Sequence, residues 1–129
     1  MGGQTNEADL AAVMDVVRAY CDGMVAGDEK LLERAFHPRA SIVGNEHGVL
    51  EWETLEEFID ECREAADDAG SGTWRLEGLS LVGDMAAIRL GTQFEGEWYT
   101  DDLSLLCIDG TWCIVHKTWC VHAASPQSG

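Results

Sequence analysis

The first part of the chain has its apolar residues at the spacing of an α-helix. They stand three or four positions apart and form one stripe, which consists of Leu10, Val13, Met14, Val17, Tyr20, Cys21 and Met24. This stripe predicts a helix of about 18 residues that buries one face. Thr5 or Asn6 is expected to cap its first turn, and Gly27 is expected to end it.

A second, shorter helix is expected directly after Gly27, with Asp28 as its cap. Its apolar face consists of Leu31, Leu32, Ala35 and Phe36. Pro38 cannot continue a helix and pushes the residue before it out of helical geometry. Two short strands are expected next, at residues 40–43 and 49–52, joined by a loop over residues 44–48.

A third helix is expected to begin at Thr54. Thr54 and Glu57 have the spacing of a capping box, in which each side chain accepts a hydrogen bond from the other residue's backbone amide. The buried stripe of this helix consists of Leu55, Phe58, Ile59, Cys62, Ala65 and Ala66. Gly70 and Gly72 are expected to end it.

From residue 73 onward the apolar residues alternate with polar ones, a period of two that is typical of β-strands. The alternation predicts four long strands, at residues 74–82, 85–96, 98–108 and 111–122. The dipeptides Gly83-Asp84 and Asp109-Gly110 favour tight turns that connect neighbouring strands.

Helices followed by strands are typical of an α+β fold. We therefore expect three helices on the concave face of a curved antiparallel sheet, with four long strands and one or two short ones. The residues expected to be mostly buried are Val17, Tyr20, Phe36, Phe58, Ile59, Cys62, Ile88, Leu90 and Leu105.

The composition is globular, with a strong excess of negative charge. Of 129 residues, 24 are Asp or Glu and 8 are Lys or Arg, which gives a net charge of −16. A surface of that charge repels nucleic acids and anionic membranes, so neither is an expected partner. The length fits a single domain over residues 1–129, with a core at about residues 7–123 and flexible tails.

The spacing of cysteines and histidines argues against a metal site and a disulfide framework. The five cysteines include no C-x-x-C pair, and no two of the four histidines stand three or four positions apart. A glycine-rich phosphate loop is absent, and no cofactor is expected. The amino terminus lacks the segments of a signal peptide, and no apolar run is long enough to span a bilayer. We therefore expect a cytoplasmic protein.

Two segments resemble a known superfamily. Residues 101–119 read DDLSLLCIDGTWCIVHKTW, and the junction after the second helix reads Phe36-His37-Pro38. Both resemble the nuclear transport factor 2-like superfamily, and within it the branch described as "putative lumazine-binding" and the SnoaL-like proteins. The resemblance extends over about residues 7–123. It implies a cone-shaped, cystatin-like roll with a pocket inside the cone, and a homodimer formed through the sheet.

Three residues are candidates for proton transfer in such a pocket. Tyr99 and Asp101 stand two positions apart on one strand and share a face, whereas Asp102 faces the other way. A carboxylate beside a tyrosine in an apolar cup can have a raised pKa and exchange protons with a ligand. The alternative is a solvated strand end. His37 is the third candidate, at the mouth of the cone, or else it bonds the last carbonyl groups of the second helix.

His116 and Lys117 are neighbours on the last strand, so simple alternation turns only one of them towards the pocket. A bulge would break that inference. A pocket-facing Lys117 would recognise an anion or a carbonyl group. Alternatively, Lys117 lies across a dimer interface with its stem on Trp119.

Aromatic side chains are numerous enough to line a pocket for a flat, partly apolar ligand. About two of the five tryptophans are expected there, and the others in the core or in an interface. The residues expected to contact a ligand are Phe36, His37, Trp52, Phe58, Trp74, Tyr99, His116, Lys117 and Trp119.

Three functions are compatible with these residues. The first is the binding of a small molecule in an aromatic-lined pocket. The second is a cofactor-independent isomerase, dehydratase or cyclase, in which Asp101 and Tyr99 transfer protons together with His37 or His116. The third is a dimeric interaction module whose pocket is vestigial.

A homodimer is expected from the two faces of the sheet. Alternation puts Trp112 and Ile114 on one face of the last strand, and Val115 and Trp119 on the other. In the same way, it sets Leu76 against Leu79 if no bulge intervenes. Three helices can cover only one face, and a second copy of the chain is the commonest cover for the other. The interface is expected to be apolar at its centre and acidic at its rim.

Overall fold

The computed structural model of the chain describes residues 7–66, 72–94 and 96–122. These residues form α1 (Glu7–Ala26), α2 (Glu29–Ala35), β1 (Phe36–Glu46), β2 (Val49–Thr54), α3 (Leu55–Ala65), β3 (Trp74–Val82), β4 (Met85–Phe94), β5 (Glu97–Ile108) and β6 (Thr111–His122). The order of helices and strands confirms the expected α+β fold.

The junction between α1 and α2 forms as its sequence predicts. Gly27 has a φ of 65°, the left-handed conformation that ends many helices, and the Asp28 amide donates to the Gly23 carbonyl at 2.9 Å. The Asp28 carboxylate then accepts a hydrogen bond from the Leu31 amide at 3.2 Å and caps α2. The cap expected for α1 at Thr5 or Asn6 lies outside the described residues.

α3 begins with the predicted capping box. The Glu57 amide donates to Oγ1 of Thr54 at 3.2 Å, and the Thr54 amide donates to Oε1 of Glu57 at 2.9 Å. The helix ends at Ala65, earlier than the expected stop at Gly70 and Gly72. Gly70 lies outside the described residues.

The six strands form one curved sheet in the order β2-β1-β6-β5-β4-β3. Four of the five neighbouring pairs are antiparallel, but β1 and β6 pair in parallel, so the expectation of a wholly antiparallel sheet is corrected at this point. We call the face that packs against the helices the inner face and the opposite one the outer face. All nine residues expected to be mostly buried are buried.

β1 is longer than expected, and the predicted loop over residues 44–48 is wrong. The strand continues to Glu46, and only His47 and Gly48 form the turn, with positive φ angles of 52° and 89°. Two positive φ angles are the mark of the hairpin turn that matches the twist of the strands. Gly44 is part of this strand. The indole ring of Trp119 occupies the space above its backbone, where any side chain would have to be.

Two bulges shift the side-chain alternation. Ser104 pairs with His116 and Leu105 pairs with Ile114, so Val115 is an extra residue in β6. Ile114 and Lys117 consequently both face inward, and both are buried. Trp119 also faces inward, against the expectation that it shares a face with Val115.

The second bulge lies in β3. Leu76 pairs with Leu90, and Gly78 pairs with Arg89, which leaves Glu77 as the extra residue. Leu76 and Leu79 therefore share the inner face, against the expectation that they lie on opposite faces.

Across the described residues, no helix is long and apolar enough to cross a membrane.

Candidate functional site

A cavity of about 70 Å³ opens between the inner face of the sheet, α1 and α3. Its buried end is polar and consists of Thr92, Asp101 and Lys117. Its walls consist of Met24, Phe58, Phe94, Tyr99 and Trp119. Three carboxylates stand at its open rim, those of Glu46, Glu51 and Glu61.

The strand register brings these residues together. Trp119 pairs with Asp101 on one side and with Gly44 on the other, and Gly44 pairs with Glu51. One row across four strands therefore runs from the buried carboxylate, past the indole, to a rim carboxylate. Lys117 lies two residues before Trp119 on the same face, one row deeper.

Lys117 and Asp101 form a buried ion pair. The amine Nζ lies 4.0 Å from Oδ2 of Asp101, and the two side chains are only 6% and 2% exposed. Taking two charges out of water is costly unless hydrogen bonds and mutual attraction compensate. The carboxylate has such compensation, since Oδ2 accepts hydrogen bonds from the Tyr20 hydroxyl at 2.5 Å and the Thr92 hydroxyl at 3.4 Å.

The amine of Lys117 is held differently. It lies 4.3 Å from the ring centre of Phe58 and 5.0 Å from that of Tyr20, at distances where an aromatic face attracts a cation. Among the described residues, none accepts a hydrogen bond from Nζ, and Asp101 is beyond hydrogen-bond distance. The amine thus presents N–H donors to the cavity that it lines.

The negative charge at the buried end acts on Tyr20. Burial, and next the charge of Asp101, raise the pKa of the Tyr20 phenol well above its ordinary value of 10.0. The phenol therefore stays protonated at physiological pH and donates its hydrogen bond to Asp101. This bond joins α1 to β5 behind the cavity.

A pair of acidic side chains connects β2 with α3 near the rim. Glu53 and Glu61 share a hydrogen bond between their carboxyl groups. Burial, and next the negative charge of Glu61, raise the pKa of Glu53 from 4.5 to about 7. Burial likewise raises the pKa of Glu61, whereas the positive charge of Lys117 lowers the pKa of both.

Comparison with known proteins identifies the family. Residues 8–120 match the family described as "putative lumazine-binding". The chain belongs to this family. No curated protein matches it.

Solved structures share the fold over nearly the whole of this family member. A nuclear transport factor 2-like protein of unknown function from Silicibacter pomeroyi is 33% identical, with a TM-score of 0.86, over 92% of this chain and 100% of that one. One from Shewanella baltica is 22% identical, with a TM-score of 0.85, over 95% and 100%. A protein described as a putative dehydratase from Streptomyces avermitilis is 14% identical, with a TM-score of 0.68, over 93% and 100%.

Five of the expected site residues line the cavity of this family member, four expected ligand contacts and the catalytic candidate Asp101. They are Phe58, Tyr99, Asp101, Lys117 and Trp119. Tyr99 and Asp101 share a face, as predicted. Asp102 faces outward and makes two hydrogen bonds to Arg89, at 2.7 and 2.8 Å.

Three further expected site residues lie away from the cavity. His37 neither lines it nor bonds the end of α2, because its Nδ1 accepts a hydrogen bond from the Arg39 amide at 3.0 Å. Phe36 is core, with its ring centre 5.7 Å from that of Tyr20. Trp74 is half-buried and packs against the core.

Two further expected site residues lie on the outer face. The bulge at Val115 turns His116 outward, where it makes hydrogen bonds to Ser41 at 2.7 Å and to Thr118 at 2.8 Å. Trp52 is 69% exposed. Trp119 is therefore the one tryptophan among the described residues that lines the cavity, where two were expected.

Sequence reasoning missed several polar residues of the site. The helical spacing of Tyr20 predicts that it is buried but gives no partner for its hydroxyl group. Glu51 and Glu53 alternate with Leu50 and Trp52, a pattern that favours the apolar pair as the inward one. The structure has the reverse, with the glutamates on the inner face. In the described ranges, no group of three or more His, Cys, Asp or Glu side chains could hold a metal ion.

Proposed function

We propose that the chain binds a small molecule in the cavity of the inner face, in contact with Lys117, Asp101 and Thr92 at its buried end. One observation carries the proposal. The side chain of Lys117 is only 6% exposed, its amine faces the cavity, and no described residue accepts a hydrogen bond from that amine. A ligand oxygen in the cavity would satisfy it.

The energetics favour a functional role over a structural one. A buried ion pair seldom stabilises a fold more than well-packed apolar residues of similar size. Charged groups that are buried beside a cavity are concentrated at binding and catalytic sites. The Lys117–Asp101 pair lies within an otherwise apolar core, next to Ile42 and Leu103, which pair with Lys117 in the neighbouring strands.

The size of the cavity limits the ligand. A volume of about 70 Å³ is small beside the several hundred Å³ of pockets for drug-sized ligands. We infer that a few heavy atoms enter the buried end and that the remainder of the ligand extends past Tyr99 and Trp119 towards the rim.

Binding can be tested by nuclear magnetic resonance with a library of small metabolites that includes pterin-like and other aromatic compounds. The expected result is a set of chemical-shift changes confined to residues around the cavity, with Asp101 and Lys117 among them. Thr92→Val removes a hydroxyl at the buried end and keeps the shape, so it should weaken binding. Thr100→Val, the same change on the outer face, should not. Shift changes elsewhere, or none with any compound, would contradict the proposal.

Proton transfer of the SnoaL-like kind is a second candidate. It is favoured by the presence of Tyr99 and Asp101 in one cavity with the amine of Lys117. Lys117 takes the role of partner that His37 and His116 were expected to have. The test is hydrogen–deuterium exchange at carbon atoms beside the carbonyl group of small ketones. Exchange catalysed by the wild type and lost in Asp101→Asn is expected, and exchange that persists in the variant would exclude this role.

We also propose that two copies of the chain associate through the outer face of the sheet. Exposed apolar side chains on that face support this, namely Leu50, Trp52, Val82, Met85, Leu106 and Ile108. The third candidate, an interaction module with a vestigial pocket, needs a cup filled by side chains, and the open cavity opposes it.

Two other expectations stay predictions. The first is a single domain over residues 1–129, which limited proteolysis would check as one protected core. The second is a cytoplasmic location, which fractionation of cells that produce the chain would check.

A further inference from the structure

The two ends of the cavity differ in charge. At the buried end, Lys117 presents N–H donors, and the carboxylate of Asp101 balances its charge. At the open end, the rim consists of Glu46, Glu51 and Glu61, and all the charged groups that the described residues place there are carboxylates. A group of ligand atoms that suits one end is therefore unsuited to the other.

The two ends are separated by a short distance along the sheet. Lys117 pairs with Ile42, which pairs with Glu53, so the Cα atoms of Lys117 and Glu53 are two strand spacings apart, about 10 Å. Both side chains extend from the inner face, and Glu53 is the partner of the rim residue Glu61. Burial raises the pKa of Glu53 and of Glu61, and the positive charge of Lys117 partly offsets this rise, as expected for charges at this separation.

The walls between the ends are apolar and aromatic. Tyr99 and Trp119 meet edge to face, with ring centres 5.7 Å apart, on the way from Lys117 to the rim. Aromatic faces attract cations as well as apolar groups. The aromatic walls and the rim carboxylates thus favour a positive group at the same end of the ligand.

We propose that the ligand is a small bipolar molecule, with an acceptor oxygen, such as a carboxylate, on Lys117 and an ammonium group between the rim carboxylates. This inference rests on the proposed binding function and names its ligand class. A simple anion would have to pass a rim of like charge, and a simple cation would leave the donors of Lys117 unsatisfied. A ligand with both groups satisfies both ends.

The test uses four kinds of small probe that differ in charge. They are ω-amino carboxylates from glycine through γ-aminobutyrate to ε-aminocaproate, then butyrate, butylamine and butyramide. Dissociation constants are measured on the full chain by nuclear magnetic resonance titration, with the shifts of cavity residues as the signal. We expect one of the ω-amino carboxylates to bind at least about tenfold more tightly than any of the singly charged or neutral probes.

Rim variants check the ammonium end without disturbing the core. Glu51→Gln and Glu61→Gln should each weaken binding of the ω-amino carboxylate severalfold and leave butyramide unchanged. Glu64→Gln, on the exposed part of α3, is the matched control and should bind like the wild type. Lys117→Met checks the other end and should reduce the preference for the ω-amino carboxylate over butylamine.

The contrary outcomes distinguish a failure of the bipolar ligand class from a failure of the proposed binding function. If butylamine or butyrate binds as tightly as the best ω-amino carboxylate, one end is not used and the bipolar class is wrong. If only butyramide or an aromatic library compound shifts the cavity residues, the bipolar class is wrong and the binding function stands. If no compound of either panel shifts them, both fail.

Discussion

The indole ring of Trp119 rests directly on the backbone of Gly44. A Cβ atom at this glycine would overlap the indole, with Cε2 as the nearest ring atom. This contact lets the ring lie along the row that joins Asp101 to Glu51, where it forms one wall of the cavity. It also explains why Gly44, which the sequence predicts to be in a loop, is a glycine inside a strand.

Replacing this glycine should disturb the cavity. In Gly44→Ala, the new methyl group must displace Trp119, and overpacking of this kind costs about 1–3 kcal/mol of unfolding free energy. Chemical denaturation measures the loss, and tryptophan fluorescence should report the movement of the ring. Gly78→Ala is the matched control in β3, because its nearest neighbour would be Cβ of Arg89 at an ordinary 3.6 Å. Equal stability of the two variants would mean that the indole is not seated on Gly44.

The elements of the fold could be predicted because their signals are local. The stripes of α1 and α3 repeat at helical spacing, and the capping box at Thr54 and the turn at Asp109 and Gly110 are read from adjacent residues. The parallel pairing of β1 with β6 has no local signal, because the two strands are far apart in the sequence.

The site could be predicted only in part, because some of its features also lack a local signal in the sequence. Tyr99 and Asp101 share a face by simple alternation, which the sequence predicts. The inward position of Lys117 depends on the bulge at Val115, and one extra residue in a strand leaves no distinctive pattern. Glu51 faces inward at the open rim of the cavity, whereas the alternation of β2 favours the apolar Leu50 and Trp52 as the inward pair.

The buried pair should be far more sensitive to substitution than an exposed one. Lys117→Met leaves Asp101 buried without its cation, and breaking a buried pair from one side costs about 3–5 kcal/mol. Arg89→Met breaks the exposed pair with Asp102, in which the side chains are 58% and 48% exposed, and should lower the unfolding free energy far less. Urea denaturation of both variants provides the comparison. Similar losses of unfolding free energy would show that the buried Lys117–Asp101 pair is no more sensitive to substitution than the exposed pair.

A double variant separates the attraction within the pair from the cost of a lone charge. Lys117→Met combined with Asp101→Asn should lose less stability than the sum of the two single losses, because no uncompensated charge is left. Additive losses would mean that the two side chains act independently.

Glu53 should make the stability depend on pH near neutrality. Its pKa is raised from 4.5 to about 7, so the folded chain keeps this proton in a range where the unfolded chain has released it. The folded state binds more protons between these values, and its stability therefore falls as pH rises through this window and then levels off. Glu53→Gln removes the effect.

Thermal unfolding from about pH 5 to about pH 8 measures this difference. The melting temperature of the Gln variant minus that of the wild type should increase with pH up to about 7 and then stay constant. Glu64→Gln, which changes an exposed glutamate of α3, should follow the wild-type curve. A difference that is independent of pH would refute the raised pKa of Glu53.

The outer face should hold two copies of the chain together, although in a different manner from the one expected. Trp119 lies on the inner face, so the centre of the outer face is not apolar. It carries the Arg89–Asp102 pair and the hydrogen bonds of His116 to Ser41 and Thr118. Exposed apolar side chains lie towards its two ends, with Leu50 and Trp52 in one group and Val82, Met85, Leu106 and Ile108 in the other.

Repulsion between two chains of charge −16 opposes association, but physiological salt screens it beyond about 8 Å. We therefore expect sedimentation equilibrium at micromolar concentration to give twice the chain mass of 14.1 kDa. Leu106→Glu, at a position 39% exposed on the outer face, should give the single mass, because an interface cannot bury the new charge. Leu79→Glu, at a position 37% exposed on the inner face, is the matched control and should keep the double mass. A wild type that sediments at the single mass excludes the dimer.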